Sequence, residues 1–197
     1  MTDVCVLSRL TIPCESALNE RLRTSYDWHR WIWRAFPSEP DKRRDFLFRV
    51  DVMGSMIRVL LLSHEKPAAV GEWKWESKPV SGQFLSCPDF RFQVRVNPTF
   101  RRSSDHRRIA LFSERDLREW LTRKLAAIGA QLISVDVGSP VVESFTKDGK
   151  HGKHVAVDFR GVMSVTDKAL FEAGFLQGIG SAKGFGYGLL MLQPIQL

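Results

Sequence analysis

The strictest pattern of hydrophobic and polar positions lies near the middle of the chain. Over residues 90–96, Phe and Val alternate with Arg91, Gln93 and Arg95. This alternation predicts a half-buried β-strand, because successive side chains of a strand point to opposite faces of the sheet. One face is therefore expected in a core, and the other presents two arginines.

The next segment changes to the spacing of a helix. Ser113 followed by Asp116 is a capping-box pattern and predicts a helix that ends at Gly129. Its apolar residues recur every three or four positions and form one buried face, made of Leu117, Trp120, Leu121, Leu125 and Ile128.

The remaining elements of the second half follow in a regular order. Strands are predicted over residues 132–137 and 155–165, on either side of a basic turn at 147–154. Thr166 and Asp167 begin a helix that reaches about residue 176, and a glycine-rich loop then leads into a strand at 189–192. The resulting β-α-β-β-α-β order is that of the ferredoxin-like fold.

The first half shows a less complete version of the same order. A strand at 3–12 precedes a helix that begins near Ser25, capped by Thr24 and Asp27, runs to about residue 35 and is stopped by Pro37 and Pro40. Strand-like runs at 45–52 and 55–63 are joined across Met53 and Gly54, and a third run at 70–75 precedes a turn at 79–82. The second helix is missing or very short.

These elements predict an α+β protein of two tandem ferredoxin-like (RNA-recognition-motif-like) domains. The N-terminal domain is expected over residues 1–82 and the C-terminal domain over residues 88–197. Because this fold serves many unrelated activities, it does not by itself decide the function.

The charge of the chain favours an anionic partner. It has 29 Lys and Arg against 22 Asp and Glu, a net charge of +7 and a pI near 9.6. Net charge alone affects only electrostatic steering and nonspecific affinity, so the clustering of the basic residues is the stronger indication of a binding surface. One cluster contains Arg101, Arg102, His106, Arg107 and Arg108, and the other contains Lys147, Lys150, His151, Lys153 and His154.

Several classes of protein are disfavoured. The three cysteines, Cys5, Cys14 and Cys87, form no CxxC or Cys/His cluster, so neither a metal site nor a disulfide framework is expected. The apolar runs are too short for a membrane span, and the N-terminus does not resemble a signal peptide. We expect a cytoplasmic protein with reduced thiols and no cofactor.

The glycine-rich segment Gly178–Gly188 contains five glycines and Lys183. Exposed backbone N–H groups beside a lysine suit a polyanion. The segment has neither the GxGxxG spacing nor the GK[ST] ending of nucleotide-binding loops, and it precedes a strand rather than a helix. Phe185 and Tyr187 fit either core packing or base stacking.

Tyr26 and His29 are the candidate catalytic residues. They are three positions apart in the predicted helix and therefore share a face. Imidazole titrates near neutral pH and a phenol donates hydrogen bonds, so the pair suits acid–base chemistry. A Tyr–His pair on a tryptophan-rich helix is also compatible with a purely structural role.

Four segments in the same order resemble the CasE subfamily of CRISPR-associated endoribonucleases, the repeat-processing subunit of type I-E systems. They are Tyr26-x-x-His29-x-x-x-Trp33-x-x-Phe36-Pro37 with Arg44-Asp-Phe-Leu-Phe48; Phe90 to Asn97-Pro98; Asp148-Gly-Lys-His-Gly-Lys153 with Phe159-Arg-Gly161; and Gly178-Ile-Gly180 through Gly188-Leu-Leu190.

This resemblance implies cleavage of CRISPR precursor RNA at the base of each repeat hairpin, without metal. The RNA 2′-hydroxyl attacks the adjacent phosphate and leaves a 2′,3′-cyclic phosphate. His29 is then the general acid or base, and Tyr26 orients it or the phosphate. The implied partners are the repeat RNA, the mature guide RNA and the other subunits of a type I-E effector complex.

A cation is expected near the scissile phosphate. Arg34 is a candidate, although five residues beyond His29 it points about 140° away on an ideal helix. Lys183 and the 150–153 loop are the alternatives. The residues expected to bind the rest of the RNA are Arg91, Arg95, Arg101, Arg102, Arg107, Arg108, Lys150, Lys153, Gly178, Gly180, Lys183 and Gly184.

Two other functions fit parts of the sequence. A non-catalytic RNA-binding subunit would keep the basic clusters and the glycine-rich loop, but would not depend on His29. A small-molecule enzyme on the same scaffold would need a deep apolar pocket and would show no salt-dependent RNA affinity.

Overall fold

The computed structural model describes residues 3–36, 46–147 and 150–195. These residues form two antiparallel sheets, each with helices on one face, which confirms the α+β prediction. None of the helices in these ranges has the length and apolar character that a membrane crossing needs.

The first sheet has the strand order β2-β3-β1-β4, which is the ferredoxin-like order. Its strands are β1 (Asp3–Pro13), β2 (Leu47–Met53), β3 (Met56–Ser63) and β4 (Glu76–Ser81). In the described residues between β1 and β2 there are two helices: α1 (Cys14–Asn19), which the sequence pattern did not reveal, and α2 (Ser25–Trp33). The predicted helix stops at Pro37 and Pro40 lie outside the described residues.

The prediction of a third strand at 70–75 was wrong. Val70 and Trp73 form only an isolated bridge, and the fourth strand is β4, which includes Pro79 where a turn was predicted. Pro79 pairs with Val6 on β1. Proline is tolerated in β4 because this strand is at the edge of the sheet, where one row of N–H groups has no ladder partner.

The second sheet contains the order β11-β5-β10-β8, again the ferredoxin-like order, and a fifth strand, β9, pairs with β10. A separate two-stranded hairpin, β6 and β7, follows β5 and was not predicted. The strands are β5 (Asp89–Val96), β6 (Thr99–Arg101), β7 (Arg108–Ala110), β8 (Ala130–Val137), β9 (Val141–Lys147), β10 (Lys150–Val165) and β11 (Leu190–Pro194).

The basic segment at 147–154 is not the turn that the sequence suggested. Most of it belongs to the long β9–β10 hairpin, in which Lys153 pairs with Ser144 and His154 with Glu143. The predicted alternation of β5 is confirmed, because Phe90, Phe92, Val94 and Val96 are buried while the residues between them are more exposed.

The helices begin where their capping residues predict. The Ser113 side chain accepts the Asp116 N–H at the start of α4 (Glu114–Ala126), and Asp167 caps α5 (Lys168–Gln177). A short helix, α3 (Gly82–Leu85), connects β4 to β5.

Two apolar cores result. One lies between the first sheet and α2, and contains Trp28, Trp31 and Phe48. The other lies under the second sheet and also includes Leu47 and Leu62 of the first sheet. Since Leu47 and Phe48 are neighbours on β2, this strand contributes to both cores and joins the two halves.

Candidate active site between the two halves

Helix α2 is fixed at its start by the capping box that the sequence predicted. The Thr24 hydroxyl accepts the Asp27 N–H at 3.2 Å, and an Asp27 carboxylate oxygen accepts the Thr24 N–H at 2.8 Å. Trp28, Trp31 and Ile32 are buried below the helix, which anchors its other face. The half-buried Tyr26 and His29 therefore have a rigid support.

Aromatic rings surround His29. The centres of the imidazole and the Tyr26 ring are 6.5 Å apart and the rings are stacked, which confirms that the two side chains share a face. Phe46 and Phe48 lie 5.8 and 6.2 Å from the imidazole, and Trp33 contacts it edge-on at 5.6 Å. This apolar wall restricts the orientations of the imidazole.

The glycine-rich loop reaches this helix from the other half of the chain. Its central part is a single 3-10 turn, Lys183–Phe185, which we call the lysine turn. The centre of the Phe185 ring lies 6.3 Å from that of the Tyr26 ring. Gly186 also packs against Phe48, since a Cβ added to Gly186 would lie 3.2 Å from Phe48 Cε2. The structure thus brings the Tyr26–His29 pair together with the Lys183 segment, which lies more than 150 residues further along the sequence.

Gly178 begins this loop in a backbone conformation that is essentially restricted to glycine, with φ 72° and ψ 167°. A Cβ at this position would lie 2.6 Å from Leu47 Cδ1 and 2.8 Å from the Gly188 carbonyl oxygen. The loop therefore crosses the boundary between the halves in close contact with β2.

We expect Gly178→Ala to lower the free energy of unfolding by about 1–3 kcal/mol, because alanine adopts this backbone conformation only with strain. The close approach of the new Cβ to the Gly188 carbonyl oxygen should increase this loss. Gly82→Ala is the matched control, since the nearest atom to its Cβ would be Val4 Cγ2 at 3.9 Å. Urea unfolding of both variants measures the difference. Equal midpoints would contradict the strain at Gly178.

The β9–β10 hairpin supports the lysine turn from its opposite side. His154 stacks on Phe145 with ring centres 4.4 Å apart, and both rings contact Phe185, at 4.6 and 4.5 Å. Tyr187 is buried, and its hydroxyl donates to Glu143 Oε2 at 2.5 Å. Burial and the negative Glu143 raise the pKa of Tyr187 well above its ordinary value. Of the two aromatics in the glycine-rich loop, Tyr187 belongs to the core.

Arg95 lies at a cleft of about 420 Å³ next to α2, which is lined by Arg23, Thr24, Ser25, Phe185 and Tyr187 among others. Its guanidinium donates two hydrogen bonds to Asp158 Oδ2, at 2.9 and 3.1 Å. Burial alone would lower the pKa of Arg95, but its hydrogen bonds to the negatively charged Asp158 outweigh burial and raise this pKa. Arg95 therefore remains charged at the cleft, while two of its five N–H groups bond within the protein.

Arg34 is the C-cap of α2 and lies apart from the Tyr26–His29 face in the helical rotation. Its guanidinium is 3.7 Å from the Glu20 carboxylate at the end of α1. Of the cations predicted for the catalytic centre, the structure brings the Lys183 segment to Tyr26 and directs Arg34 to Glu20.

The arginines of the first basic cluster lie on the exposed β6–β7 hairpin. Arg102 and Arg107 both pair with Asp105, while Arg101 and Arg108 face each other across the hairpin. Arg101 and Arg108 also border a pocket of about 310 Å³ together with Lys124, Gly180 and Ser181. The glycine-rich loop therefore runs from this basic pocket at one end to α2 at the other.

The other predicted RNA-binding residues are dispersed. Arg91 is exposed on the sheet face beside Arg160, and Lys153 is exposed on β10. Gly184 is inside the lysine turn. Lys150 begins β10 and pairs with Lys147, and its side chain lies outside the described part.

Asn97 is a residue of this site that the sequence did not predict, although the Asn97-Pro98 pair ends one of the segments that resemble the family. The Asn97 side chain is bonded to the Val155 N–H and to His154, and its backbone oxygen accepts a hydrogen bond from the Ser181 hydroxyl. A buried Asn at the end of an alternating apolar strand was the available signal, since such a side chain needs partners.

Within residues 3–36, 46–147 and 150–195, no three His, Cys, Asp or Glu side chains are grouped closely enough to hold a metal ion.

Several known proteins are similar to this chain in sequence and in fold. A family model described as CRISPR associated protein matches residues 6–194. The CRISPR system Cascade subunit CasE of Escherichia coli (strain K12) is 32% identical over 187 residues, with 88% of this chain and 94% of that protein covered. The CRISPR-associated endoribonuclease Cse3 of Thermus thermophilus is 26% identical, with coverage of 95% and 99%.

A solved structure of CRISPR endoribonuclease Cse3 bound to 19 nt RNA superposes with a TM-score of 0.86. The identity is 24%, and the match covers 96% of this chain and 99% of that one, which confirms the tandem ferredoxin-like architecture. By the near-complete family match and the similarity to CasE, the chain belongs to the CRISPR-associated protein family that includes CasE and Cse3.

Proposed function

We propose that this protein is a metal-independent endoribonuclease that cleaves CRISPR precursor RNA at the base of the repeat hairpin. The observation that carries the proposal is the contact between the Tyr26–His29 face of α2 and the lysine turn of the glycine-rich loop. Relatives of this chain include an endoribonuclease and a Cascade subunit, and a similar fold is known with bound RNA.

In the proposed reaction the RNA 2′-hydroxyl oxygen forms a bond to the adjacent phosphorus while the bond from phosphorus to the 5′-oxygen breaks. The 2′-hydroxyl loses a proton and the leaving 5′-oxygen gains one. The products are a 2′,3′-cyclic phosphate and a 5′-hydroxyl. The RNA brings its own nucleophile, so the protein needs to orient it, move protons and stabilise charge.

His29 is the proposed general acid or base, and Tyr26 supports its position or the phosphate. Lys183 is our preferred cation for the negative charge that develops on the phosphate, since its turn contacts the Tyr26 face while Arg34 pairs with Glu20. Arg101, Arg108 and Lys124 at the far end of the loop would bind phosphates of the hairpin stem.

After cleavage, the protein is proposed to retain the mature guide and to join the other subunits of a type I-E surveillance complex. Many phosphate contacts would make the affinity for RNA depend steeply on salt. Arg102 and Arg107, which share the single negative charge of Asp105, should contribute less to that dependence than Arg101 and Arg108.

The test is cleavage of a labelled repeat hairpin in EDTA, with a second RNA that lacks the single 2′-hydroxyl next to the scissile phosphate. We expect one cut in the first RNA, a cyclic phosphate detected by mass spectrometry, and no cut in the deoxy RNA despite equal binding. Activity that disappears in EDTA and returns with Mg²⁺, or cleavage of the deoxy RNA, would contradict the mechanism. Binding without cleavage of either RNA would favour a non-catalytic RNA-binding subunit.

A further inference from the structure

The side-chain amide of Asn97 has a defined orientation. Asn97 is 7% exposed, and its Oδ1 accepts the backbone N–H of Val155 at 3.1 Å. The Val155 N–H needs an acceptor, and the oxygen is the only acceptor in the Asn97 amide, so the NH₂ group must be on the other side of the amide. That side faces His154 Nδ1 at 3.3 Å.

This orientation fixes the protonation of His154. Since the Asn97 NH₂ group only donates, Nδ1 of His154 must accept and therefore carries no proton. The imidazole is then neutral, with its proton on Nε2. Nε2 is buried and has no hydrogen-bond partner among the residues that the structure describes, so a positive charge on the ring would gain no acceptor there.

The electrostatic surroundings agree with a neutral ring. Burial lowers the pKa of His154, and the nearby Glu143 on β9 opposes this effect only in part. Titratable groups on the surrounding elements include Tyr187, which donates to that same Glu143, Lys183 in the turn, and Lys153 and Asp158 on β10. Arg95 on β5 interacts electrostatically with both Glu143 and Asp158. A cation at His154 would add to the positive charge of Lys183.

The neutral ring lies in a continuous series of contacts that ends at the candidate catalytic pair. His154 packs against Phe185 edge-on at 4.6 Å, Phe185 contacts Tyr26 at 6.3 Å, and Tyr26 stacks on His29 at 6.5 Å. Asn97 connects the β9–β10 hairpin to the glycine-rich loop. Its side-chain oxygen accepts the Val155 N–H of the hairpin, and its backbone oxygen accepts the hydroxyl of Ser181, two residues before the lysine turn.

We propose that His154, kept neutral by Asn97, is a positioning residue that sets the lysine turn against Tyr26. It contacts no reacting atom. It determines where Phe185 and Lys183 lie relative to the Tyr26–His29 face, and this role rests on the proposed cleavage function.

His154→Ala removes the ring from the stack. We expect the single-turnover cleavage rate to fall about 10- to 100-fold, because small displacements of catalytic groups have effects of this size. The dissociation constant for the RNA should remain within about twofold, since His154 is behind the turn. His154→Phe keeps the aromatic stack and should restore most of the rate.

Asn97→Asp tests the protonation directly. The aspartate keeps an oxygen for the Val155 N–H but presents a second oxygen to Nδ1, which then has to carry a proton. We expect ¹⁵N NMR to find the neutral Nε2–H tautomer in the wild type and a protonated Nδ1 in the variant. The variant should also cleave more slowly.

Three results would overturn the proposal: a protonated Nδ1 in the wild type, a wild-type rate for His154→Ala, or a rate loss that His154→Phe does not reverse. If His154→Ala fails to fold, the cleavage rate of His154→Phe and the tautomer of His154 in the wild type still test the proposal. The NMR measurement of the His154 tautomer does not require catalysis. A wild-type protein that cleaves no RNA would therefore refute the proposed function, while the tautomer would still show whether Asn97 keeps His154 neutral.

Discussion

Replacing His29 by alanine is expected to lower the single-turnover rate of RNA cleavage by about 10²- to 10⁴-fold, the range for loss of a general acid or base. The affinity for the repeat hairpin should change little, because the basic residues of the β6–β7 hairpin and the glycine-rich loop remain. The measurement is cleavage with protein in excess over labelled RNA in EDTA, with binding followed in parallel.

The structure supplies a matched control for this variant. His64 is exposed at the end of β3 and is outside the candidate site, so His64→Ala should cleave at the wild-type rate. Tyr26→Phe separates the two roles of Tyr26, since it keeps the ring that contacts His29 and Phe185 but removes the hydroxyl.

A cleavage rate that His29→Ala leaves unchanged would remove His29 from the mechanism, even if the protein proved to be a nuclease. A rate that falls in proportion to RNA affinity would make His29 a binding residue. A large loss with Tyr26→Phe would assign the hydroxyl to the chemistry, whereas a small loss would leave Tyr26 as a support for the ring.

The sequence predicted those elements whose signals are local. The alternation of residues 90–96 and the caps at Thr24, Ser113 and Asp167 depend only on neighbouring residues, and all four match the structure. Strand β4 was missed for the opposite reason. Pro79 is acceptable there only because β4 is at an edge, and the position of a strand within a sheet depends on the whole fold.

The same distinction applies to the candidate site. The common face of Tyr26 and His29 follows from their spacing in one helix. The contact between Phe185 and Tyr26 joins two halves of the chain, and no spacing in the sequence encodes it. Similarly, Arg95 lies on the face opposite the core as predicted, but it is only half-exposed, because it pairs with Asp158 through the register between β5 and β10.

That pairing is part of an ion network which joins the halves, and breaking the network should have the largest effect on stability. Arg49 is 4% exposed, donates from Nε to Asp51 at 2.8 Å, and forms an ion pair with Asp158 at 3.1 Å. Arg58 and Arg95 pair with the remaining oxygens of the same two carboxylates.

We expect Arg49→Met to lower the free energy of unfolding by about 3–5 kcal/mol at neutral pH, the usual cost of removing one partner from a buried ion pair. Arg9→Met is the matched control. Arg9 is opposite Leu60 on the same sheet, as Arg49 is, but its pair with Glu76 is exposed. Exposed pairs contribute about 0–1 kcal/mol, so the control should be nearly neutral.

The loss should also depend on pH. Although burial favours the protonated form of Asp51, hydrogen bonds from Arg58 and Arg49 outweigh it and lower the Asp51 pKa from 3.8. The network therefore stabilises the fold fully above that ordinary value, and its contribution is lost as the pH falls through the lower pKa of the folded state. Urea unfolding of Arg49→Met and Arg9→Met should accordingly differ strongly at pH 7, and the difference should shrink only as the pH is lowered below 3.8. Equal midpoints at pH 7 would mean that apolar contacts such as those of Leu47, rather than the ion network, hold the two halves together.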